Sequence, residues 1–474
     1  MRQAGPGEKV KLCNRWIALA VPLGWGIVGA NGAEAAMRRR ELIIGGGAVF
    51  GAAGTARAAT PYNLRDAARE AFIYTLPLNE IALVRGRILG AGLKPNTFLP
   101  QRILAGPEAH NVTTPNNDTI YASAFIDLSQ GPVTLVQPDL GDRYASFALM
   151  DMWSDNFAVL GTRTTGPKGG SYQLVGPTDR APLPNVIRSP TPWVWALARV
   201  VVNGESDLAA AQAVQAGYRI EGGKTGAPAA PGARREGPWQ DYFRAAVALL
   251  TENPPPATDQ GILRRIAPLG FGPGFDPATF GQAQQAEIAA GVADALALVK
   301  GGGGLGADAK NGWMFQAADT GAFFQDYLGR ARVALGGLAA LPPAEAMYLT
   351  ALSPENRRLF DGDRPYRLHF PKDRLPPVDA FWSLTMYEAT PEGQFFMTVN
   401  SIKRYAIGDR TAGLKRDADG GLTIWIGRGD PGGERRADWL PAPAKGPYAM
   451  ILRLYLPRPE AISAAWTPPR IEAA

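Results

Sequence analysis

The side chains available for chemistry in this chain are almost all carboxylates, amides, phenols and guanidiniums. Cys13 is the only cysteine, and His110 and His369 are the only histidines among 474 residues. One cysteine forms no disulfide within the chain, and two histidines exclude a three-histidine zinc site. We therefore expect a site without a metal or a cofactor, built mainly from Asp, Asn, Tyr and Arg.

The densest cluster of polar side chains starts in residues 113–133. Asn116, Asn117 and Asp118 follow a proline and precede a strand pattern that contains Tyr121. These four side chains could surround a polar ligand and bind it through hydrogen bonds. Asn-Asn-Asp after a proline is also an ordinary turn composition, so a purely structural role stays open.

His110 lies just upstream of this cluster and is a candidate base. A catalytic histidine needs a carboxylate that orients its ring, and either Asp118 or Asp151 could supply it. The alternative is a structural histidine that only takes part in hydrogen bonding.

Residues 142–166 continue the polar cluster with a strand pattern and a turn. Period-two alternation places Asp151 at the end of a face that is otherwise apolar. A carboxylate there needs a backbone amide or a cation such as Arg143 or Arg163; otherwise its pKa rises, which suits a general acid. Asp151 could equally cap the turn that continues through Asp155.

Three strand patterns near the C-terminus each have one aliphatic face and one polar, aromatic face. They are FWSLTMYE at 381–388, LTIWI at 422–426 and YAMILRLYL at 448–456. Such a polar, aromatic surface can stack sugars or bind a partner, or it can be covered by another domain or a second subunit. If the strands are neighbours, that surface gathers Ser383, Thr385, Tyr387, Trp425, Arg453 and Tyr455.

The elements that would position these side chains follow a simple order. A helical pattern covers residues 64–88, and Pro77 should kink or divide that helix. Strand patterns occupy residues 118–176 and 366–455. The order predicts an α+β chain that is mainly β, with two antiparallel β-sandwich or jelly-roll-like modules and a helical insert between them. The helical patterns of the insert cover residues 207–216, 239–250, 281–300 and 317–335.

We predict four segments along the chain. Residues 1–58 form an export signal region, 59–184 an N-terminal β-rich domain, 185–346 a mainly helical linking region, and 347–474 a C-terminal β-sandwich domain. The roughly 415 residues after the first segment exceed what one hydrophobic core usually serves.

Residues 37–58 have the three parts of an export signal. Arg38–Arg40 precede an apolar stretch, and Ala56 and Ala58 fit a cleavage site with two small residues. Adjacent arginines at this place are typical of twin-arginine export. We therefore expect translation to start at Met37 and the protein to be periplasmic or secreted.

A second candidate signal, at residues 9–30, could instead be the one that is cleaved. Neither apolar stretch reaches the roughly 18 residues of a spanning helix, so no permanent membrane anchor is expected. Residues 1–58 hold eight of the 49 basic and three of the 43 acidic side chains, which leaves a net charge of +1 on the remainder. This balance gives no reason to expect nucleic acid as a partner.

Long motifs in both halves resemble a bacterial two-domain family of unknown function. TTPNNDTIYASAFIDLSQGPV at 113–133 and DRYASFALMDMWSDNFAVLGTRTTG at 142–166 resemble domain of unknown function 1254. LPPVDAFWSLTMYE at 375–388 and the stretch 437–460 are similar to domain of unknown function 1214. The resemblance implies an exported protein with β-sandwich or jelly-roll folds that forms a homo-oligomer, and it implies no particular reaction.

The polar cluster favours a cofactor-free hydrolase or lyase that acts on a small polar or carbohydrate-like substrate. Paired carboxylates can serve such a reaction as acid and base. The candidate acids and bases are Asp118, Asp151, Asp155 and His110. The candidate ligand-binding residues are Asn116, Asn117, Tyr121, Arg143, Tyr387, Trp425 and Arg453.

Two other functions stay open. One is a non-catalytic envelope protein that binds a ligand such as a glycan, or assembles, through the aromatic face of the C-terminal domain. The other is a calcium site at Asp118, Asp151 and Asp155, although the spacing of an EF-hand loop is missing.

Overall fold

The computed structural model describes residues 63–474 except 111–112, 181–185, 302–305, 356–358, 362 and 392–393. The predicted export signal and Cys13 lie outside the described residues. Across the described part of the chain, no helix combines the length and the apolar character that crossing a membrane requires.

Seven α-helices occur in the described residues, and the longest one begins the described chain. They are α1 (Leu64–Gly90), α2 (Leu208–Gly217), α3 (Trp239–Glu252), α4 (Gln260–Ile266), α5 (Gln282–Lys300), α6 (Tyr327–Gly336) and α7 (Pro459–Ile462).

Nine strands precede residue 223. They are β1 (Leu99–Pro100), β2 (Thr119–Asp127), β3 (Val133–Gln137), β4 (Ala145–Met150), β5 (Asn156–Gly161), β6 (Gly170–Val175), β7 (Val186–Arg188), β8 (Trp193–Val201) and β9 (Arg219–Gly222). The later strands are β10 (Gly306–Lys310), β11 (Trp313–Gln316), β12 (Ala346–Ala351), β13 (Phe360–Asp361), β14 (Tyr366–Phe370), β15 (Val378–Ala389), β16 (Phe395–Phe396), β17 (Ala406–Gly408), β18 (Leu422–Gly427), β19 (Trp439–Pro441), β20 (Pro447–Pro457) and β21 (Glu472–Ala473).

These strands form four sheets. Sheet I has the order β1-β2-β8-β4-β5, and sheet II has the order β7-β6-β3-β9. Sheet III has the order β10-β11-β12-β20-β15-β16, with β13 beside β20 and β17 beside β15, and sheet IV has the order β19-β18-β14-β21. The pairs β6–β7 and β18–β19 are parallel, and the other described pairs are antiparallel.

The hydrophobic cores show how the layers stack. One core lies between sheets I and II, and a second lies between sheet I and the helices around α1. A third core fills the space between sheets III and IV. A smaller cluster joins sheets I and III through residues such as Tyr144, Phe381 and Tyr455. The two halves of the chain therefore share a buried interface.

Helix α1 organises the helical layer. Its N-terminus is capped by the side chain of Asn63, which accepts a hydrogen bond of 2.8 Å from the amide of Asp66. The helix continues through Pro77, so the proline does not divide it. Arg65 near its start forms two hydrogen bonds with Asp294 of α5, and α1 packs against α5 and α6 along its length.

The fold is a mixture of helices and mostly antiparallel sheets, and none of the described sheets closes into a barrel. Helix and strand take nearly equal shares, 28% and 27%, so the description as mainly β is too narrow. The segment expected to be mainly helical also supplies β8, which lies at the centre of sheet I. This difference arises because WVWALARVV is apolar on both faces and lacks the clean alternation of a half-buried strand.

Candidate functional site

A cavity of about 270 Å³ lies between sheet I and sheet III. Strands β2 and β8 form one wall, and β12 and β20 form the opposite wall. The remaining walls come from α1, from the segments 99–109 and 113–116, and from the end of α6 with the connection that follows it, at 334–340. Both halves of the chain therefore contribute side chains to the same cavity.

Strand alternation determines which side chains of sheet I face this cavity. In β8, Trp195, Leu197 and Arg199 point to the cavity side, while the intervening residues pack in the core against sheet II. Tyr121 in β2 is directly opposite Arg199 in the antiparallel register. The Arg199 guanidinium lies 5.4 Å from the centre of the Tyr121 ring, so a cation and a phenol stand together on this wall.

The opposite wall places a second arginine in the cavity. Arg453 of β20 pairs in register with Tyr348 of β12, and both line the cavity. The two terminal nitrogens of Arg453 donate to Thr385 Oγ1 at 2.9 Å and to the Thr114 carbonyl at 3.1 Å. These neutral acceptors hold the guanidinium in place without neutralising its charge.

A polar network closes one end of the cavity. The Asn116 amide nitrogen lies 2.9 Å from the Tyr121 hydroxyl and 2.8 Å from the Tyr455 hydroxyl. The Asn116 carbonyl oxygen accepts a hydrogen bond of 2.6 Å from the Asp118 amide. Asn116 thus links a strand of sheet I to a strand of sheet III.

Asp118 lies behind this network and does not line the cavity. It is 3% exposed. One carboxylate oxygen accepts a hydrogen bond of 2.6 Å from Arg410, and the other accepts one of 2.6 Å from the Ser383 hydroxyl. A carboxylate held in an ion pair and a hydrogen bond on both oxygens is suited to joining the two halves.

Asp151 and Asp155 form a separate cluster outside the cavity lining. One Asp151 oxygen accepts hydrogen bonds from the backbone amides of Trp153, at 2.9 Å, and Asp155, at 3.0 Å. Asp155 pairs with Arg330 at 2.7 Å and also accepts a hydrogen bond from the Phe323 amide. Of the partners suggested for Asp151, the structure supplies backbone amides.

The environment of Asp151 disfavours its charged form. Burial raises the pKa of Asp151 from 3.8 to about 7, and the nearby charge of Asp155 adds to this rise, while Arg330 and the two backbone hydrogen bonds oppose it. A pKa in this range would suit a general acid, but Asp151 is buried and does not line the cavity.

The other candidate residues have partners elsewhere. Arg143 forms an ion pair with Asp207, and the Asn117 amide donates to the Ala105 carbonyl at 2.5 Å. His110 is exposed, with its ring 4.5 Å from that of Phe396. None of these three residues lines the cavity.

The C-terminal aromatic face divides between two sheets. The Tyr387 hydroxyl donates to the Pro115 carbonyl at 2.7 Å, so this ring lies behind the cavity wall. Trp425 does not join that face, because β18 belongs to sheet IV and not to the sheet of β15 and β20. Arg435 covers the Trp425 ring at 4.2 Å.

The described side chains also bear on the calcium site that the sequence leaves open. Within the described residues, no three Asp, Glu, His or Cys side chains are grouped so that they could hold a metal ion. In the cluster proposed for calcium, oxygens of Asp118 and Asp155 are engaged by Arg410 and Arg330.

Of the predicted residues, the cavity thus brings together Asn116, Tyr121 and Arg453. The sequence interpretation missed Arg199, Tyr348 and the Trp195–Ser123 pair, in which the indole donates to the hydroxyl at 2.8 Å. A usable signal existed for Arg199, because it is the only charged residue in the nine-residue apolar run WVWALARVV.

Comparison with known families assigns both halves of the chain. Residues 95–222 match the family described as Protein of unknown function (DUF1254), and residues 345–459 match Protein of unknown function (DUF1214). The chain belongs to the two-domain family of unknown function that these domains define. The two walls of the cavity lie one in each matched region, with Tyr121 and Arg199 in the first and Tyr348 and Arg453 in the second.

Two solved structures are similar to this chain. The crystal structure of the VPA0106 protein from Vibrio parahaemolyticus is 22% identical, with a TM-score of 0.67, over 87% of this chain and 100% of that one. The crystal structure of an uncharacterized protein from Burkholderia cenocepacia is 14% identical, with a TM-score of 0.41, over 87% of this chain and 93% of that one. The first likeness shows a shared fold. No curated protein matched the chain.

Proposed function

We propose that this protein binds a small organic molecule in the cavity between its two family domains. The observation that carries the proposal is the cavity itself, a partly open space with mainly apolar walls and a few convergent polar groups. Binding sites for small molecules have this character and often lie where two domains meet.

The size and lining of the cavity limit the ligand. Its volume of about 270 Å³ is close to the lower end of the roughly 300–1,000 Å³ that is typical of ligand sites. Aliphatic side chains such as Ile88, Leu104 and Leu335 line the space together with the arginines and tyrosines of the two sheets. We therefore expect a small molecule with an apolar body and a polar group.

A hydrolase or lyase that uses Asp118, Asp151 or Asp155 remains a proposal with less support. These carboxylates are held by Arg410, by backbone amides and by Arg330, respectively. Jelly-roll-like modules, a helical insert, homo-oligomerisation and glycan binding likewise stay proposals that rest on the sequence.

Filling the cavity should weaken binding of a neutral probe. We expect 1-aminonaphthalene, a two-ring fluorophore that brightens in apolar surroundings, to bind the native protein. Leu104→Trp adds an indole to the half-buried loop that lines the cavity and should weaken binding at least about tenfold, which is about 1.4 kcal/mol. Fluorescence titration measures the affinity.

Leu298→Trp is the matched control, because Leu298 is 43% exposed on α5 and does not line the cavity. It should bind the probe like the native protein. Equal binding by both variants, or no binding by the native protein, would contradict the proposed site. Thermal melting of both variants shows that each is folded.

We also propose that residues 37–58 direct the protein across the cytoplasmic membrane. Changing both Arg39 and Arg40 to lysine in the full chain should leave the precursor in the cytoplasm, because adjacent arginines define twin-arginine signals. Changing Lys9 and Lys11 to glutamine should leave export unaffected. Cell fractionation measures the location of both variants. If the Lys9 and Lys11 changes block export and the Arg39 and Arg40 changes do not, the upstream signal directs export.

A further inference from the structure

We propose that the ligand of this cavity is an organic carboxylate whose negative charge pairs with Arg199. The inference rests on the proposed function, since it names the chemical class that the same cavity would bind.

Arg199 is a buried cation with an unused hydrogen-bond donor. It is 5% exposed, and one terminal nitrogen donates to the Ala339 carbonyl at 2.7 Å. The other terminal nitrogen is buried and has no hydrogen-bond partner. In the described part of the chain, no carboxylate forms an ion pair with this guanidinium, and the side chain lines the cavity. Apart from the Tyr121 phenol beside it, this charged donor has no partner among the described residues of the cavity wall.

Three other buried arginines in the same protein have carboxylate partners. Arg85 pairs with Glu252 at 2.8 Å, Arg235 pairs with Glu80 at 2.6 Å, and Arg330 pairs with Asp155 at 2.7 Å. A buried charge without a counter-charge costs free energy, and an arginine cannot escape this cost by losing its proton. Arg199 and Arg453, which both line the cavity, have no such partner among the described residues, and a bound anion would supply one.

The described groups near Arg199 supply no counter-charge for it. Burial raises the pKa of Tyr348, so its phenol stays protonated and supplies no negative charge. Arg453 on the opposite wall adds a second guanidinium, which donates to two neutral oxygens and also interacts with the charge of Asp118. The two oxygens of Asp118 are already bound by Ser383 and Arg410.

The one carboxylate of the described lining belongs to the loop side of the cavity. Glu108 is exposed, and one of its oxygens accepts a hydrogen bond from the Gly106 amide. Arg87 also lines the cavity, so the cations outnumber the carboxylates there. A carboxylate matches the planar donor geometry of a guanidinium, and the aliphatic lining accommodates an apolar body.

The test compares an acid with its neutral counterpart of similar shape. At neutral pH, the native protein should bind 1-naphthoate at least tenfold more tightly than 1-naphthalenemethanol. Lowering the pH until the naphthoate is protonated should remove the preference. Isothermal titration calorimetry measures both affinities, and this comparison uses only the native protein.

Arg199→Met should abolish the preference for the acid and leave the affinity for the alcohol within about threefold, because methionine keeps much of the side-chain volume. Arg199→Lys should retain part of the preference because the charge remains. Arg458→Met is the control for net charge, since Arg458 is an exposed residue outside the cavity lining, and it should behave like the native protein.

The outcomes separate the two proposals. If the native protein binds neither compound and also does not bind 1-aminonaphthalene, the proposed function is contradicted. If it binds acid and alcohol equally, the cavity stands and the anion proposal is overturned. If Arg199→Met is folded and still prefers the acid, the assignment to Arg199 is overturned.

Discussion

Asp118→Ala is expected to lower the free energy of unfolding by about 3 kcal/mol at neutral pH. Removing one partner of a buried ion pair typically costs about 3–5 kcal/mol, because the other charge remains buried without compensation. We expect the lower end of that range, since the Arg410 side chain is 21% exposed and can regain some water. Urea unfolding followed by tryptophan fluorescence measures the change.

The ion pair has this importance because it joins the two halves of the chain. Asp118 precedes β2, whereas Ser383 lies in β15 and Arg410 follows β17. The Arg410 guanidinium also lies 4.0 Å from the Phe381 ring and donates to the Val202 carbonyl. Loss of the Asp118 carboxylate therefore weakens the interface that forms the cavity, even though Asp118 does not line it.

An exposed ion pair provides the matched control. Asp379 and Arg458 lie 2.7 Å apart, with side chains that are 64% and 52% exposed. Asp379→Ala should change the free energy of unfolding by less than about 1 kcal/mol. If Asp118→Ala costs no more than this control, the buried pair does not hold the halves together.

A double-mutant cycle then isolates the pair. Asp118→Ala combined with Arg410→Ala should cost less than the two single changes added together, with a coupling of roughly 0.5–3 kcal/mol. Additive losses would show that the two side chains act independently. The cycle also matters for the hypothesis that Asp118 is a catalytic acid or base. If Asp118 stabilises the interface, a loss of activity in Asp118→Ala does not by itself show that Asp118 transfers a proton.

Local patterns in the sequence predicted the elements and the strand faces well. The predicted helices at 207–216, 239–250 and 281–300 agree with α2, α3 and α5 to within two residues. Alternation also assigned Ser383 and Arg453 to one face, and the register places them directly opposite each other. These features depend on periods of two and 3.6 residues, which are visible in any short stretch.

Features that depend on distant partners could not be predicted in the same way. The helix expected at 317–335 begins only at Tyr327, where the Asp326 side chain caps it by accepting a hydrogen bond from the Gly329 amide. Trp425 belongs to a different sheet from Tyr387, although both strands alternate in the same manner. Asp118 pairs with Arg410, which lies 292 positions away in the sequence. Pattern identifies which face a side chain occupies, whereas the fold decides what that face meets.

Strand β8 combines both cases. Its alternation places Arg199 on one face with Trp195 and Leu197, which the sequence could have shown once the segment was recognised as a strand. The absence of a carboxylate partner for Arg199 among the described residues emerges only from the fold. The strongest candidate for ligand recognition was therefore missed because no strand was assigned to residues 193–201 and because the sequence lacks tertiary information.

Asp151→Asn is expected to stabilise the protein by up to about 4 kcal/mol at pH 8. Burial and the charge of Asp155 raise the pKa of Asp151 from 3.8 to about 7 in the folded state. A difference of this size corresponds to about 4 kcal/mol of free energy. Asparagine has no charge to bury, and its side-chain oxygen can still accept the hydrogen bonds that Trp153 and Asp155 donate.

The pH dependence follows from which state holds the proton. Between about pH 4 and pH 7, the folded protein keeps Asp151 protonated while the unfolded chain has lost that proton. The folded state thus binds more protons, so the contribution of Asp151 to stability is full below pH 4 and is lost as the pH rises through 7. The advantage of Asp151→Asn should accordingly be small near pH 4, grow through this range and level off above pH 7.

Asp207→Asn should instead lower stability by a constant amount between pH 4 and pH 8. The hydrogen bond from Arg143 lowers the pKa of Asp207 below its ordinary value of 3.8, so its contribution is fully present over this range and is lost only as the pH falls further, through that lowered pKa. Thermal and urea unfolding of both variants between pH 4 and pH 8 compares the two slopes. A stability difference for Asp151→Asn that stays constant over this range would mean that Asp151 is ionised in the folded state throughout. Its burial against Asp155 would then be compensated by Arg330 and the backbone amides alone.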